Sequence, residues 1–368
     1  MNKILSKLLN PKKRIAGLDI GTSSVKFMEI EGESLADAKL VSYVVEPIPR
    51  EFLNHDGNID NMKGVADIIR TCWKKSQSTT KNVVISLSSS GIITKKAILP
   101  QLNEEDMQSQ IESEISNYLP EGMKLEDVMM DYYTLQQNEH SSEDSDMILV
   151  AAKKEKIEER TALVEMAGLV PQIIEVEQYS LQNMLRLMYG DQFNQKSVLL
   201  LDCSAKAMKM FIFKNGQLSY NKNIEIGGDD FTNEIMHNLN VSTFAESEKL
   251  KLETVANETL AMVEKTFLMN YSTEFLRAFQ YYTNIDPNPH VDEVVLTGGV
   301  AGLMGIEEAF YNIIVENNET HIKNAPFVAR PLETLGKSNK INLSKLSRDE
   351  AGLFLVTSLA LRHFLRQY

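Results

Sequence analysis

One local plan occurs twice in this chain, and it restricts the fold more than any other feature. Near the start, Arg14-Ile-Ala-Gly-Leu-Asp19-Ile-Gly-Thr-Ser-Ser-Val-Lys26-Phe-Met-Glu-Ile reads as an apolar strand ending on aspartate, a turn of small residues and a returning strand. In the middle, Ser197-Val-Leu-Leu-Leu-Asp202-Cys-Ser-Ala-Lys-Ala-Met-Lys209-Met-Phe-Ile-Phe repeats it. A lysine follows each aspartate by seven residues, and a glycine turn follows at Gly32 or Gly216. Two such units predict a duplicated domain, each half presenting one carboxylate at a strand end.

The intervening sequence alternates strand and helix patterns, which indicates an α/β core. A helix is expected over Asn58–Gln77, then strands Val83–Leu87 and Ile92–Leu99 around a serine turn at Ser88, Ser89 and Ser90. Residues 103–118 read as an amphipathic helix, with Met107, Ile111, Ile115 and Tyr118 about one turn apart. Strands Met129–Leu135 and Met147–Ala152 flank a polar loop, Gln136–Asp146, and helices follow over 154–167 and Val176–Met188. The boundary between halves falls at Asn194–Lys196.

The 368 residues amount to about two domains. No apolar run reaches the roughly 18 residues of a membrane-spanning helix. Cys72 and Cys203 stand in no metal-ligand spacing and fit a reducing cytoplasm. A net charge of −13 argues against a nucleic-acid partner, which requires a basic face. Against that total, residues 1–14 hold Lys3, Lys7, Lys12, Lys13 and Arg14 with no acid, beside Ile4, Leu5, Leu8 and Leu9 at helical spacing. Two readings stay open: a frayed end, or a short basic amphipathic segment that touches an anionic membrane or a partner.

The chemistry concentrates at turns. Gly21-Thr22-Ser23-Ser24 follows a strand, and such a turn directs successive backbone N–H groups into an anion-binding concavity. Asp19 and Asp202, facing each other across a cleft, are suited to hold the water shell of Mg²⁺ on a triphosphate. A third cluster, Val294-Val-Leu-Thr297-Gly298-Gly299-Val-Ala-Gly302-Leu-Met-Gly305, leads from a strand into a helix and allows close backbone approach to a flat ligand. No Walker A pattern, nucleophile elbow or His-Glu-x-x-His pair occurs. The six histidines are scattered near polar loops and read as surface residues.

In this order, the three motifs resemble those of the actin-like ATPase superfamily, which includes actin, heat-shock chaperone ATPases, sugar kinases and FtsA. The sequence is most similar to the PilM family of type IV pilus assembly proteins. That resemblance also rests on Ile111-Glu-Ser-Glu114-Ile-Ser-Asn-Tyr118-Leu-Pro120 and Val128-Met-Met-Asp131-Tyr132. It continues through Ile174-Glu175-Val176-Glu177-Gln-Tyr-Ser-Leu181, Ile226-Gly227-Gly228-Asp-Asp-Phe231-Thr and Ala245-Glu246-Ser-Glu-Lys249-Leu-Lys251.

The resemblance implies an α/β actin-like fold, with two related halves around a nucleotide cleft and an inserted small subdomain. Domain I would span 1–196, with the insert at about 88–165 and a C-terminal helix at about 349–366 packing back on it; domain II would span 197–340. It implies ATP and Mg²⁺ as cofactors. Asp19 and Asp202 would serve the metal through water, and Gly21, Thr22, Ser23, Lys26, Ser204, Gly227, Gly228, Gly298 and Gly299 the nucleotide. Glu246 and Lys249 would flank the nucleoside. Glu177 matches the position of a water-polarising carboxylate, or is a helix-surface acid. The second phosphate turn departs from the family pattern, because Ser204 replaces glycine and Lys206, Ala207 and Met208 replace hydroxyl residues. Nucleotide binding with weak or absent hydrolysis is therefore the expectation.

By the same resemblance, the chain is a cytoplasmic scaffold, peripheral to the inner membrane. It would capture the N-terminal tail of a PilN-like bitopic membrane protein and contact other platform proteins. Ile111, Ile115 and Tyr118 are the expected wall of the partner groove, which would take an extended or amphipathic segment. Two alternatives come from the same superfamily: a small-metabolite kinase and an FtsA-like filament-forming membrane tether.

Overall fold

The structure is a computed structural model that describes residues 14–54, 58–89, 91–100, 102–137, 144–252 and 258–364. The basic segment 1–13, Ser90, the middle of the polar loop and the last residues of the expected C-terminal helix lie outside these. Strands β1 (Ala16–Ile20) and β2 (Ser24–Glu31) form the first predicted hairpin, and β3 (Lys39–Pro47) extends it antiparallel. Helix α1 (Met62–Ser76) starts later than Asn58, because Asn58 N–H donates to the Asn54 side chain and Ile59 bridges to Leu53. The cap falls instead on Asn61, whose side chain accepts from Gly64 N–H. Strand β4 (Asn82–Leu87) follows.

Next come β5 (Ile92–Pro100), α2 (Glu104–Ser116), β6 (Val128–Gln137) and β7 (Asp144–Lys153). The polar loop is shorter than expected, since β6 and β7 pair as far as Gln137 and Ser145. Helix α3 (Lys154–Met166), β8 (Val170–Val176) and α4 (Glu177–Tyr189) complete the first half.

The second hairpin is β9 (Ser197–Cys203) and β10 (Met208–Lys214), extended by β11 (Gln217–Ile224). Helices α5 (Gly228–Leu239), α6 (Phe244–Leu252) and α7 (Glu258–Ile285) lead to β12 (Glu293–Thr297) and α8 (Ile306–Glu316). The short strands β13 (Phe327–Val328) and β14 (Gly336–Lys337) precede α9 (Leu343–Asp349) and α10 (Phe354–Leu361).

The duplication holds at the level of sheet topology. One sheet runs β14-β3-β2-β1-β4-β8 and the other β11-β10-β9-β12-β13. Each contains an antiparallel three-strand meander whose first strand then pairs in parallel, β1 with β4 and β9 with β12. A cluster of buried side chains joins the two, with Met28, Ile30 and Leu40 from the first sheet against Leu200, Phe211 and Phe213 from the second. Helix α10 lies on β1 so closely that a Cβ on Gly17 would stand 2.5 Å from Val356 O, and glycine is required there.

The third sheet, β5-β7-β6, carries α2 on one face. Met107, Ile111 and Ile115 pack on Leu99, Val128, Met147 and Leu149 in a separate small core. Helix α3 belongs elsewhere, with Leu163 and Val164 buried beside Val65 and Ile69 of α1.

Candidate functional site

The parallel strands bring their carboxyl ends to one edge, the usual location of ligand crevices in open α/β sheets. The first hairpin meets that edge with Asp19 directly across from Lys26. Seven residues of sequence thus become one cross-strand pair, and Lys26 Nζ lies 2.8 Å from Asp19 Oδ2. The turn between them is short: Gly21 N–H donates to Ser24 O at 3.1 Å, with Thr22 half-buried and Ser23 exposed at the tip.

The second hairpin has the same register, Asp202 across from Lys209. Lys209 nevertheless reaches out of its own half and donates to both oxygens of Glu177, at 2.6 and 2.9 Å. Glu177 opens α4 directly after β8 and is buried; its Oε2 also accepts from Ser89 N–H at 3.4 Å. Asp202 Oδ2 accepts from Ser204 Oγ at 2.9 Å. The Arg160 guanidinium on α3 donates to Ile20 O at 3.3 Å and adds a third cation to the group.

The electrostatics bind these residues into one unit. Burial would lower the Lys209 pKa, but the carboxylates of Glu177, Asp202 and Asp19 outweigh it and raise it. Burial pushes the Asp202 carboxyl up to about 6, with Glu177 adding to the shift and Lys209 and Ser204 opposing it. Burial lowers the pKa of Arg160 against the pull of Glu159, Asp19 and Glu177.

The turn at residues 204–207 is occupied differently from its counterpart. Ser204 O accepts from Gly228 N–H at 3.1 Å and Ala205 O from Asp229 N–H at 2.8 Å. These are first-turn amides of α5, the groups a helix would offer an anion. A Cβ on Gly227 would stand 2.3 Å from Ala205 O, so glycine permits this docking. Gly227 and Gly228 therefore seat the turn, and Lys206 points to Asp229 at 3.9 Å.

The glycine cluster completes the edge. Gly298, at φ +93°, brings the backbone against Cys203 O and Asp202 Oδ1, which would lie 2.5 and 2.7 Å from a Cβ. Gly299 faces open space, with nothing within 4 Å of that position, and can offer bare backbone to a flat ligand.

Asp19, Lys26, Glu177, Asp202, Ser204 and Gly298 thus converge, while Glu246 and Lys249 are exposed on α6. The charged α6 residues that reach α5 are Glu248 and Lys251, whose Nζ donates to Gly228 O and Glu248 Oε1, both at 2.6 Å. Their three-residue helical spacing was available in the sequence. Arg50 and Arg160 had no such signal. Arg50, from the first half, lies 2.5 Å from Asp229 of the second and covers the Phe244 ring at 4.5 Å. The expected groove wall needs correction: Ile111 and Ile115 are 1% and 0% exposed inside the small core and present no docking surface. Tyr118 is exposed, with the Lys95 ammonium 4.1 Å over its ring.

The carboxylates fit Mg²⁺ poorly. Asp19 and Glu177 each hold an ammonium, Asp202 holds a hydroxyl, and among the described residues no group of three or more His, Cys, Asp or Glu forms a metal-binding cluster.

The family profile of the type IV pilus assembly protein PilM matches residues 17–364. The chain belongs to the PilM family. Its fold is also similar to solved structures. The PilM–PilN type IV pilus biogenesis complex matches with a TM-score of 0.75 at 19% identity, over 95% of this chain and 98% of that one. The ethanolamine utilization protein EutJ from Carboxydothermus hydrogenoformans matches with a TM-score of 0.55 at 12% identity, over 94% of this chain and 88% of its own. MreB 5 of Spiroplasma citri, bound to AMPPNP, matches with a TM-score of 0.52 at 11% identity, over 97% of this chain and 98% of its own. The PilM-family chain therefore has the actin-like fold expected from its three motifs. Among the described residues, no helix is long and apolar enough to cross a membrane.

Proposed function

We propose that this chain is a cytoplasmic actin-like scaffold of a type IV pilus assembly platform, peripheral to the inner membrane. It captures the N-terminal tail of a PilN-like bitopic protein, contacts other platform proteins and binds ATP in the cleft. The observation that carries the partner reading is the likeness to the PilM–PilN complex along almost the whole chain. The nucleotide reading draws on the likeness to MreB 5 with AMPPNP and on the convergence of Asp19, Lys26, Glu177 and Gly298.

The small sheet supplies a wall for the tail. Its face opposite α2 carries Met129 and Tyr133 of β6 and Ile98 of β5, exposed by 43, 57 and 63%. Alternation along each strand puts these three on one side, away from Val128 and Leu99 in the core. Thr94 of that face accepts from Gln178 on α4, so the face borders that helix. An extended apolar tail fits between them, as a peptide laid against a sheet.

A labelled peptide of the PilN-like tail, titrated into the full chain, tests this. Tyr133→Asp is expected to weaken binding about tenfold or more, as loss of an aromatic anchor does. A wild-type chain that does not bind the peptide overturns the scaffold reading; unchanged affinity in Tyr133→Asp and Ile98→Asp overturns the groove.

A further inference from the structure

We propose that the cleft holds the phosphates of its nucleotide with its own ammonium groups and requires no divalent cation; this rests on the nucleotide reading above. The two hairpins place a lysine on each side of the crevice at matching register positions, Lys26 on β2 and Lys209 on β10. Both are largely buried, with side chains 19 and 22% exposed, and both already sit on the carboxylates a metal would use. Lys26 Nζ is 2.8 Å from Asp19 Oδ2, and Lys209 Nζ is 2.6 and 2.9 Å from the Glu177 oxygens. Asp202 gives one oxygen to the Ser204 hydroxyl and lays the other against Gly298.

Magnesium demands a near-octahedral oxygen shell at about 2.0–2.1 Å and is held through carboxylates and phosphate oxygens together. Here it would have to enter beside an ammonium bonded to the same carboxylate, a contact of like charges in a partly buried site. An ammonium can take over the bridging role, because it has three donors. Lys26 spends one donor on Asp19 and Lys209 spends two on Glu177, leaving donors on each side of the crevice for phosphate oxygens. Arg160, drawn by Glu159, Asp19 and Glu177, adds a third cation to the cleft.

The experiment is a titration of a fluorescent N-methylanthraniloyl-ATP analogue into the full chain, once in excess EDTA and once in excess magnesium. The expected result is two affinities that agree within about threefold, less than the change from losing one charge-assisted hydrogen bond. A larger loss in EDTA, restored by magnesium, overturns metal independence and leaves nucleotide binding standing. No binding in either buffer overturns the nucleotide reading itself. Lys209→Arg keeps the cation and is expected to keep EDTA-resistant binding. The double variant Glu177→Gln/Lys209→Gln removes both buried charges, so that it can fold, which its circular dichroism melt verifies. It is expected to lose about tenfold in EDTA; unchanged affinity there overturns the role given to Lys209.

Discussion

The two hairpins, β1/β2 and β9/β10, share one register, with aspartate across from lysine in each. Their lysines nonetheless end in different places. Lys26 closes on its own Asp19, whereas Lys209 leaves Asp202 to the Ser204 hydroxyl and crosses to Glu177 in the other half. Their turns differ as well: the first is short, while the second hands its carbonyls to the α5 amides. Local sequence sets the register of a hairpin, but packing selects the partner of each side chain. A duplicated motif can thus keep its backbone and divide its side-chain contacts, one lysine closing within its own hairpin and the other tying the halves together.

The largest test of this division compares the lysines. Lys209→Met leaves Glu177 buried without its cation and removes the main positive charge near Asp202, so a loss of about 3–5 kcal/mol is expected. Lys26→Met strips a single contact from Asp19, which is as buried as Glu177 but does not receive two bonds from its lysine, with an expected loss of about 1–3 kcal/mol. Urea unfolding of the two variants measures both. Equal losses would mean that the second lysine is no more of a cross-half tie than the first.

A smaller effect separates the turns. Gly227→Ala places a methyl group 2.3 Å from Ala205 O, backbone that cannot swing aside, and overpacking of this kind costs about 1–3 kcal/mol. Gly21→Ala meets its nearest atom, Ser24 O, at 3.2 Å and is expected to cost less than about 1 kcal/mol. Thermal melts that rank the two in the opposite order would show that the second turn is not locked on α5.

What was legible in the sequence follows the same division. The Asp–Lys spacing could be read because a hairpin converts sequence distance directly into cross-strand contact, and the glycine cluster because strand, turn and helix are contiguous. The Lys209–Glu177 pair could not be read, since it depends on how α4 and the second sheet meet. Ile111 and Ile115 show the complementary limit. An apolar helical stripe looks the same whether it lines a groove or fills a core, and only the positions of β5, β6 and β7 decide. Glu246 and Lys249 sit beside Glu248 and Lys251, which contact α5, on one helix, where a shift of two positions changes the face.

The last effect concerns the carboxylate of the second hairpin, Asp202, and its sign is set by burial. Asp202 is pushed up to about 6 by burial, so between its ordinary value near 3.8 and that point the folded protein binds more proton there than the unfolded chain. Stability then falls as pH rises through this window, because its slope follows the difference in protons bound by the unfolded and folded states. The contribution is present below about pH 4 and lost by about pH 6. Asp202→Asn removes it, so the variant is expected to gain on the wild type by about 2 kcal/mol between pH 4 and pH 6. Unfolding free energies measured at both pH values test this. A difference that stays flat would mean that burial does not raise the Asp202 carboxyl.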